Sequence, residues 1–463
     1  MLLTKNNNLV IFFFIVSFFS CKKKEEILPE ILPEIIKSET PVAPVKPKYF
    51  EENTWIYNQL KNIYLWEDKM PEEKDTDKNL NPEDYFYTLT NNSKQTDWVS
   101  YIKMNKSDIF DFWDGNMNSF GFKYRKIIEP NQEIKLAVSI VFQNSPAQKG
   151  NLWRGDIITK INGNVLTEKN LENLLNIPNV EFTVIDTDNT TKLLKIDKTK
   201  FLISPIQDKA FFEQGKNKIA YFVYSQFLTS AEPELRALIG GYKAIGVNEL
   251  ILDLRFNPGG VTPNAEVLAS LLVKNLVPKS TMYTSSWNKT QTELIMKKEG
   301  ASAGIRGWTS ETNNIGNLNR IFILTSKTSA SSSEMIINCL RPFMEVIVIG
   351  DNTFGKNLIN IIITDETGKF PFAIMPAFSQ MYNAKGESNY GTKDGFTPNY
   401  RIEDNVIPFF PLGNPNETLL KKALSLINNE TGETPIQLPF KKLTFLDRYH
   451  HFDSGSAFYL KAN

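Results

Sequence analysis

The chain has 463 residues, with 52 basic and 52 acidic side chains and a formal net charge of zero. That balance gives no electrostatic case for nucleic acid, whose phosphates select strongly basic surfaces. Two histidines, adjacent at His450 and His451, and two cysteines, Cys21 and Cys339, make neither a disulfide framework nor a zinc set, and no metal or cofactor is expected.

Leu9 to Phe19 is apolar apart from Ser17 and too short to span a bilayer. With Lys5 before it and Phe18-Phe19-Ser20-Cys21 at its end, this stretch (residues 1–20) resembles a bacterial lipoprotein signal. The resemblance implies lipidation of Cys21, membrane attachment through that anchor, and an exported lipoprotein facing the periplasm or the cell surface. Residues 21–48, rich in Pro, Glu and Lys, read as a flexible, extended tether.

Residues 49–112 carry Trp55, Ile56, Tyr57, Leu60, Ile63 and Tyr64, then Tyr85, Phe86 and Leu89, at helical spacing. They predict a small helical domain packed on the remainder of the chain. In residues 113–200, Ser145-Pro146-Ala147, Gly155-Asp156-Ile157-Ile158 and Ile161-Asn162-Gly163 stand at offsets that resemble a PDZ domain. Such modules add an extended peptide to a sheet edge and hold its terminal carboxylate in a backbone nest. The resemblance places that nest at Ser119-Phe120-Gly121-Phe122.

Residues 201–430 read as an α/β core. Glu249 to Arg255 predicts a strand, the turn Asn257-Pro258-Gly259-Gly260 breaks it, and Asn264 to Leu272 is helical in spacing. Paired glycines let a backbone approach a ligand closely, and their N–H groups can stabilise an oxyanion, although a plain turn reads the same way. Arg320 to Leu324 predicts a second strand, followed by a serine cluster and a helix from Glu334 to Leu340 that Pro342 ends. This strand, turn and helix put Ser331 at a helix N-terminus, where unpaired amides gather. A third strand, Val346 to Ile349, runs into the turn Asp351 to Lys356. Serine needs a neighbouring base. With both histidines in the last fifteen positions, Lys356 is the substitute, and parallel strands with both turns at one edge would bring it to Ser331. A lysine acts as a base near neutral pH only when burial lowers its pKa, and Phe354, Leu358, Ile359, Ile361 and Ile362 are the apolar shell at hand.

Ser329-Ala330-Ser331-Ser332-Ser333-Glu334 and Thr353-Phe354-Gly355-Lys356, with the serine and lysine 25 positions apart, resemble the motifs of the C-terminal processing (tail-specific) serine peptidases. Asp253 to Gly260 resembles that family's oxyanion-side loop, and Tyr390-Gly391 with Asp394 to Asn399 its closing segment. The resemblance implies a crotonase-like α/β core and a serine endopeptidase acting on exported protein or peptide substrates. Ser331 would be nucleophile, Lys356 base and Asn360 the amide that orients the lysine, where the family often has Gln. Ser332 with Gly259 or Gly260 would form the oxyanion hole. Asn357 and Pro342 also depart from the family pattern. Two rival readings use the same residues: a catalytically silent peptide-binding lipoprotein, and a Ser/Lys esterase. After Asn405 the sequence predicts one helix, Glu417 to Ile427, and a polar tail over residues 431–463.

Overall fold

The computed structural model describes residues 46–91 and 97–428. The signal at residues 1–20, Cys21, all but the end of the tether and the tail at 431–463 lie outside the described residues.

The first segment contains α1 (Phe50–Ile63), α2 (Pro82–Asn91), β1 (Tyr101–Lys103) and α3 (Ser107–Asp114). Ile56, Tyr57 and Leu60 of α1 and Tyr85, Phe86 and Leu89 of α2 recur at three- and four-residue spacing and are buried together. Their core is not their own. Leu358, Phe372, Ile374 and Ala377 from far along the chain complete it. The segment is therefore bound into the larger core.

A β module comes next: β2 (Asn116–Ser119), β3 (Phe122–Ile128), β4 (Ile134–Val141), α4 (Pro146–Lys149), β5 (Ile157–Ile161), β6 (Asn164–Val165), α5 (Leu171–Asn176), β7 (Asn179–Ile185), β8 (Thr191–Asp197) and β9 (Thr199–Leu202). Its main sheet runs β3-β4-β5-β7-β8, with β6 paired to β5, so β3 is an edge strand. Inward residues alternate along β7, where Val180, Phe182 and Val184 are buried, the period-2 pattern of a sheet with one covered face.

The third part opens with β10 (Ile206–Gln214), β11 (Asn217–Tyr224), α6 (Glu232–Ala244), β12 (Glu249–Asp253), α7 (Thr262–Leu272), β13 (Thr281–Ser286), α8 (Lys289–Glu299) and β14 (Ile305–Gly307). It continues with β15 (Arg320–Thr325), α9 (Ser332–Leu340), β16 (Glu345–Gly350), β17 (Leu358–Asn360), β18 (Ile363–Thr364), β19 (Ala373–Met375), β20 (Ala377–Asn383), β21 (Tyr400–Arg401) and α10 (Thr418–Ile427). The central sheet is ordered β10-β11-β12-β15-β16-β21 and is parallel from β11 onward. β12, β15 and β16 are almost continuously apolar, as strands covered on both faces must be. β12 stops at Asp253, two residues earlier than the sequence suggests, where Asp253 Oδ1 accepts the Arg255 N–H at 3.1 Å and turns the chain. Two smaller sheets, β14-β13-β20-β17 and β1-β19-β18, flank it, the second taking its first strand from the N-terminal segment. No helix among the described residues is long and apolar enough to cross a membrane.

Candidate active site

The turns after β12, β15 and β16 leave the sheet at the same edge because the three strands are parallel and in register. Serine and threonine hydroxyls then fasten the second turn to the first. Ser326 and Thr328 donate to the Arg255 carbonyl, each at 2.5 Å, and Ser329 to Leu254 at 2.8 Å. Ser332 and Ser333 donate to Gly260 and Asn257, both at 3.0 Å. Five hydroxyls flanking Ser331 thus satisfy backbone acceptors of the 254–260 turn, which explains a serine-rich segment without giving each serine a catalytic role.

Ser331 is held at φ +56°, ψ −113°, a conformation sparsely populated by residues with a Cβ. It caps α9, which begins at Ser332. Gly259, at φ +101°, lies so close that a Cβ there would stand 2.9 Å from both the Ala330 carbonyl and Ser331 Cβ, so only glycine fits. Its N–H is committed to Asn257 Oδ1 at 2.8 Å. Asn257 in turn donates to the Tyr224 carbonyl at 2.9 Å, which fixes the turn to the sheet. Of the two glycines expected to aim an amide at a substrate, Gly259 is therefore the spacer. Gly260 lines the cavity with Ser331 and Ser332.

That cavity, about 50 Å³, also receives Lys356 and Asn360, with Tyr101, Trp113, Met335, Met381 and Tyr390 among its apolar walls. Lys356 is 7% exposed. Burial brings its ammonium down to about 8, against the opposing pull of the Glu334 and Asp97 charges. Of the apolar shell expected from sequence, Leu358 and Ile359 line the cavity, while Ile362 packs with Ile109 and Met375.

Glu334 was visible in the sequence only as the last letter of a motif. Its carboxylate is fully buried and accepts four hydrogen bonds: Ser331 N–H at 2.9 Å, Lys356 N–H at 2.8 Å, Gly355 N–H at 2.6 Å and the Thr353 hydroxyl at 2.6 Å. Burial raises it to about 6 although all four donors oppose the shift. Asp97 is a second residue without a sequence signal. It accepts from Tyr64 Oη at 2.6 Å and caps the Val99 and Ser100 amides, placing an acidic group of the N-terminal segment within electrostatic reach of Lys356.

Asn360 faces the cavity, but its Nδ2 donates to the Val99 carbonyl at 3.1 Å and the Met375 carbonyl at 2.8 Å. Only Oδ1 remains, buried and without a hydrogen-bond partner. Asn357 donates to the Ser388 hydroxyl at 2.9 Å, and Pro342 lies past the end of α9. The closing segment locks over the lysine turn: Phe396 N–H donates to Thr353 Oγ1 at 2.7 Å, and Tyr390 stacks on Phe396 with ring centroids 4.4 Å apart.

Ser119, Phe120, Gly121 and Phe122 do not line this cavity. They join β2 to β3, and the Phe120 and Phe122 rings pack on Phe182 in the β module's own core. The Gly121 amide is taken by Ser119 Oγ at 3.1 Å.

A buried charge cluster ties the β module to the core. Arg154 pairs with Asp404 at 3.1 Å and Glu417 at 3.2 Å, while Arg255 pairs with Asp253 at 2.6 Å, Asp404 at 3.1 Å and Glu417 at 2.6 Å. Burial alone would raise Asp404, but Arg154 and Arg255 hold it at about 2. Among the described residues no group of His, Cys, Asp and Glu is arranged to hold a metal ion.

Residues 218–402 match the family model described as peptidase family S41, and residues 51–101 that of the peptidase S41 N-terminal domain. A "Probable CtpA-like serine protease" of Staphylococcus saprophyticus is 23% identical over 324 residues, 66% of this chain and 61% of that one. Another of the same description, from Staphylococcus haemolyticus, is 25% identical over 231 residues, 49% of this chain and 42% of that one. The chain thus spans about three-fifths or less of the length of these curated relatives. The crystal structure of a candidate S41 protease from Bacteroides fragilis superimposes with a TM-score of 0.69 at 24% identity, covering 82% of this chain and 98% of that one, a likeness of fold.

Proposed function

Because the chain belongs to peptidase family S41, we propose that it is a serine endopeptidase acting through a Ser331–Lys356 dyad. The observation that carries this reading is one cavity holding a serine at a helix N-terminus beside a buried lysine whose pKa falls to about 8. At that value a useful fraction of the amine is neutral near physiological pH. The neutral Lys356 Nζ takes the Ser331 hydroxyl proton as Oγ bonds to the scissile carbonyl carbon. The carbonyl π pair moves to oxygen, and the Gly260 and Ser332 N–H groups receive the oxyanion. The ammonium then protonates the leaving amine as the C–N bond breaks. Water, deprotonated by the same lysine, cleaves the acyl ester and restores Ser331. Asn360 Oδ1, which has no hydrogen-bond partner, is the acceptor at hand in the cavity for the ammonium once it forms.

The same reading makes residues 206–401 a crotonase-like core and residues 116–202 a PDZ-like reader of substrate C-termini, with peptide addition at its edge strand β3. Lipidation at Cys21 would hold the enzyme on a membrane facing its exported substrates, and palmitate incorporation lost in Cys21→Ala tests that part.

The main test is fluorophosphonate labelling followed by digestion of an unstructured protein such as casein. Ser331 should carry the label, and Ser331→Ala and Lys356→Ala should each stop proteolysis in folded protein. Labelling without cleavage of any peptide bond would favour an esterase, and no labelling a silent peptide binder.

A further inference from the structure

We propose that Glu334 is a positioning residue of the Ser331–Lys356 pair: its ionised carboxylate draws the serine turn and the lysine turn onto one another, and its protonation lets them part. The inference rests on the dyad reading above. Two other contacts join the same turns, Phe354 N–H to the Ser329 carbonyl at 3.0 Å and Lys327 Nζ to the Thr353 carbonyl at 3.2 Å. Glu334 adds three more across the gap, from Thr353, Gly355 and the backbone amide of the base, and a fourth within its own turn from the backbone amide of the nucleophile.

Hydrogen-bond capacity makes the arrangement sensitive to charge. Two carboxylate oxygens offer about four lone-pair sites, and all four are used. A protonated acid must instead donate. Three of its four neighbours are N–H groups that cannot accept, and the fourth, Thr353 Oγ1, already accepts from Phe396 N–H. Protonation therefore either loses the Thr353 bond or reverses it, and turns the other three from charge-assisted to neutral bonds. The titratable groups that face the carboxylate are Lys356 and Tyr390, with the Lys327 ammonium standing behind Thr353. The tyrosine, fully buried and raised far above its ordinary value, stays neutral throughout. The carboxyl, at about 6, and the lysine, at about 8, then titrate in separate steps.

The consequence is a two-stage acid limb. With falling pH, the rate of Ser331 labelling, and kcat/KM with it, should drop one decade per pH unit below about 8. It should steepen towards two decades per unit below about 6, while circular dichroism shows the fold intact. Unfolding driven by Glu334 would have the opposite sign. Its raised pKa contributes stability that is present in acid and is lost as pH rises through about 6.

Wild type and Glu334→Gln are compared in labelling rate, kcat and KM between pH 5 and 9. The amide keeps the shape but presents an NH₂ to two donors. We expect kcat to fall about 100-fold, as displaced reacting groups do, with KM nearly unchanged and the second stage of the limb absent. A folded Glu334→Gln enzyme with the wild-type labelling rate, or one that keeps the two-stage limb, overturns the inference. Should that variant not fold, Thr353→Val and Thr353→Ser decide it. Loss of one charge-assisted bond raises the second stage by about one pH unit in the valine variant. The serine variant restores it. No movement in either variant is equally fatal. If wild-type Ser331 is not labelled at any pH, the dyad reading fails and takes this inference with it; if it is labelled and the Glu334 and Thr353 variants behave as wild type, this inference alone fails.

Discussion

Lys123 Nζ, on the edge strand β3, donates to the carbonyl of Phe256 at 2.9 Å, crossing from the β module to the residue just ahead of Asn257 and the glycine turn. The lysine is half-buried, and the loss of solvent around its ammonium brings it down to about 7. A lysine with a lowered pKa contributes stability that is present above its unfolded value and lost as pH falls through the folded one. Thermal midpoints of the wild type should therefore rise between about pH 7 and pH 10, and those of Lys123→Met should rise less. Equal slopes for the two proteins would show that the lysine is hydrated and charged at neutral pH.

The two glycines should separate in their effects. A Cβ at Gly260 would overlap the Phe227 carbonyl, which also accepts the Val261 N–H, so Gly260→Ala should destabilise the fold by several kcal/mol. A Cβ at Gly259 presses instead on Ser331 Cβ and the Ala330 carbonyl. We expect Gly259→Ala to lower turnover about 100-fold with the smaller loss of stability. Urea unfolding beside casein turnover measures both. The reverse order of stability losses would contradict the assignment of Gly259 as spacer.

Removing Arg154 takes one of the two guanidinium partners from the buried Asp404 and Glu417 carboxylates and leaves Arg255, with the Arg125 charge near Asp404. Stripping one partner from a buried ionic cluster typically costs about 3–5 kcal/mol, and Arg154→Met should lose that much in denaturant unfolding. Arg154→Lys should recover less than half. The guanidinium also donates to the Phe410 carbonyl at 2.8 Å and to the Ser139 carbonyl, contacts an ammonium cannot reproduce together. A loss below about 1 kcal/mol for Arg154→Met would mean that the cluster is solvated.

Ser331 and Lys356 should behave as one unit. Either alanine variant should reduce cleavage to background, and the double variant should be little worse than either single. Lys356→Arg keeps the charge but cannot supply a neutral base, so it should be as inactive as the alanine variant. Substantial activity in Lys356→Arg would assign the base to another group.

The stretch from Arg320 to Leu340 was readable because a buried strand, a serine turn and a helix each leave a local signature, and the turns at Gly259–Gly260 and Thr353–Lys356 were readable for the same reason. The candidate nucleophile and base emerge from those turns once the strands are parallel. The β module's Ser145-Pro146-Ala147, Gly155-Asp156-Ile157-Ile158 and Ile161-Asn162-Gly163 motifs were also local, so its extent was close to the observed one. What the sequence could not convey depends on where distant side chains point. Glu334 carries no periodic mark that tells a helix carboxylate facing solvent from one receiving two turns. Asp97, Lys123 and Arg154 look like ordinary surface charges until residues 256, 356 and 404 arrive beside them. The pairing of Tyr101–Lys103 with Ala373–Met375 spans about 270 positions and makes the N-terminal segment one wall of the site. Local backbone preference and hydrophobic period act over a few residues and are written into the chain. Long-range pairing and the burial that shifts Lys356 and Glu334 arise only when the sheets close on one another, and so only the tertiary structure decided them.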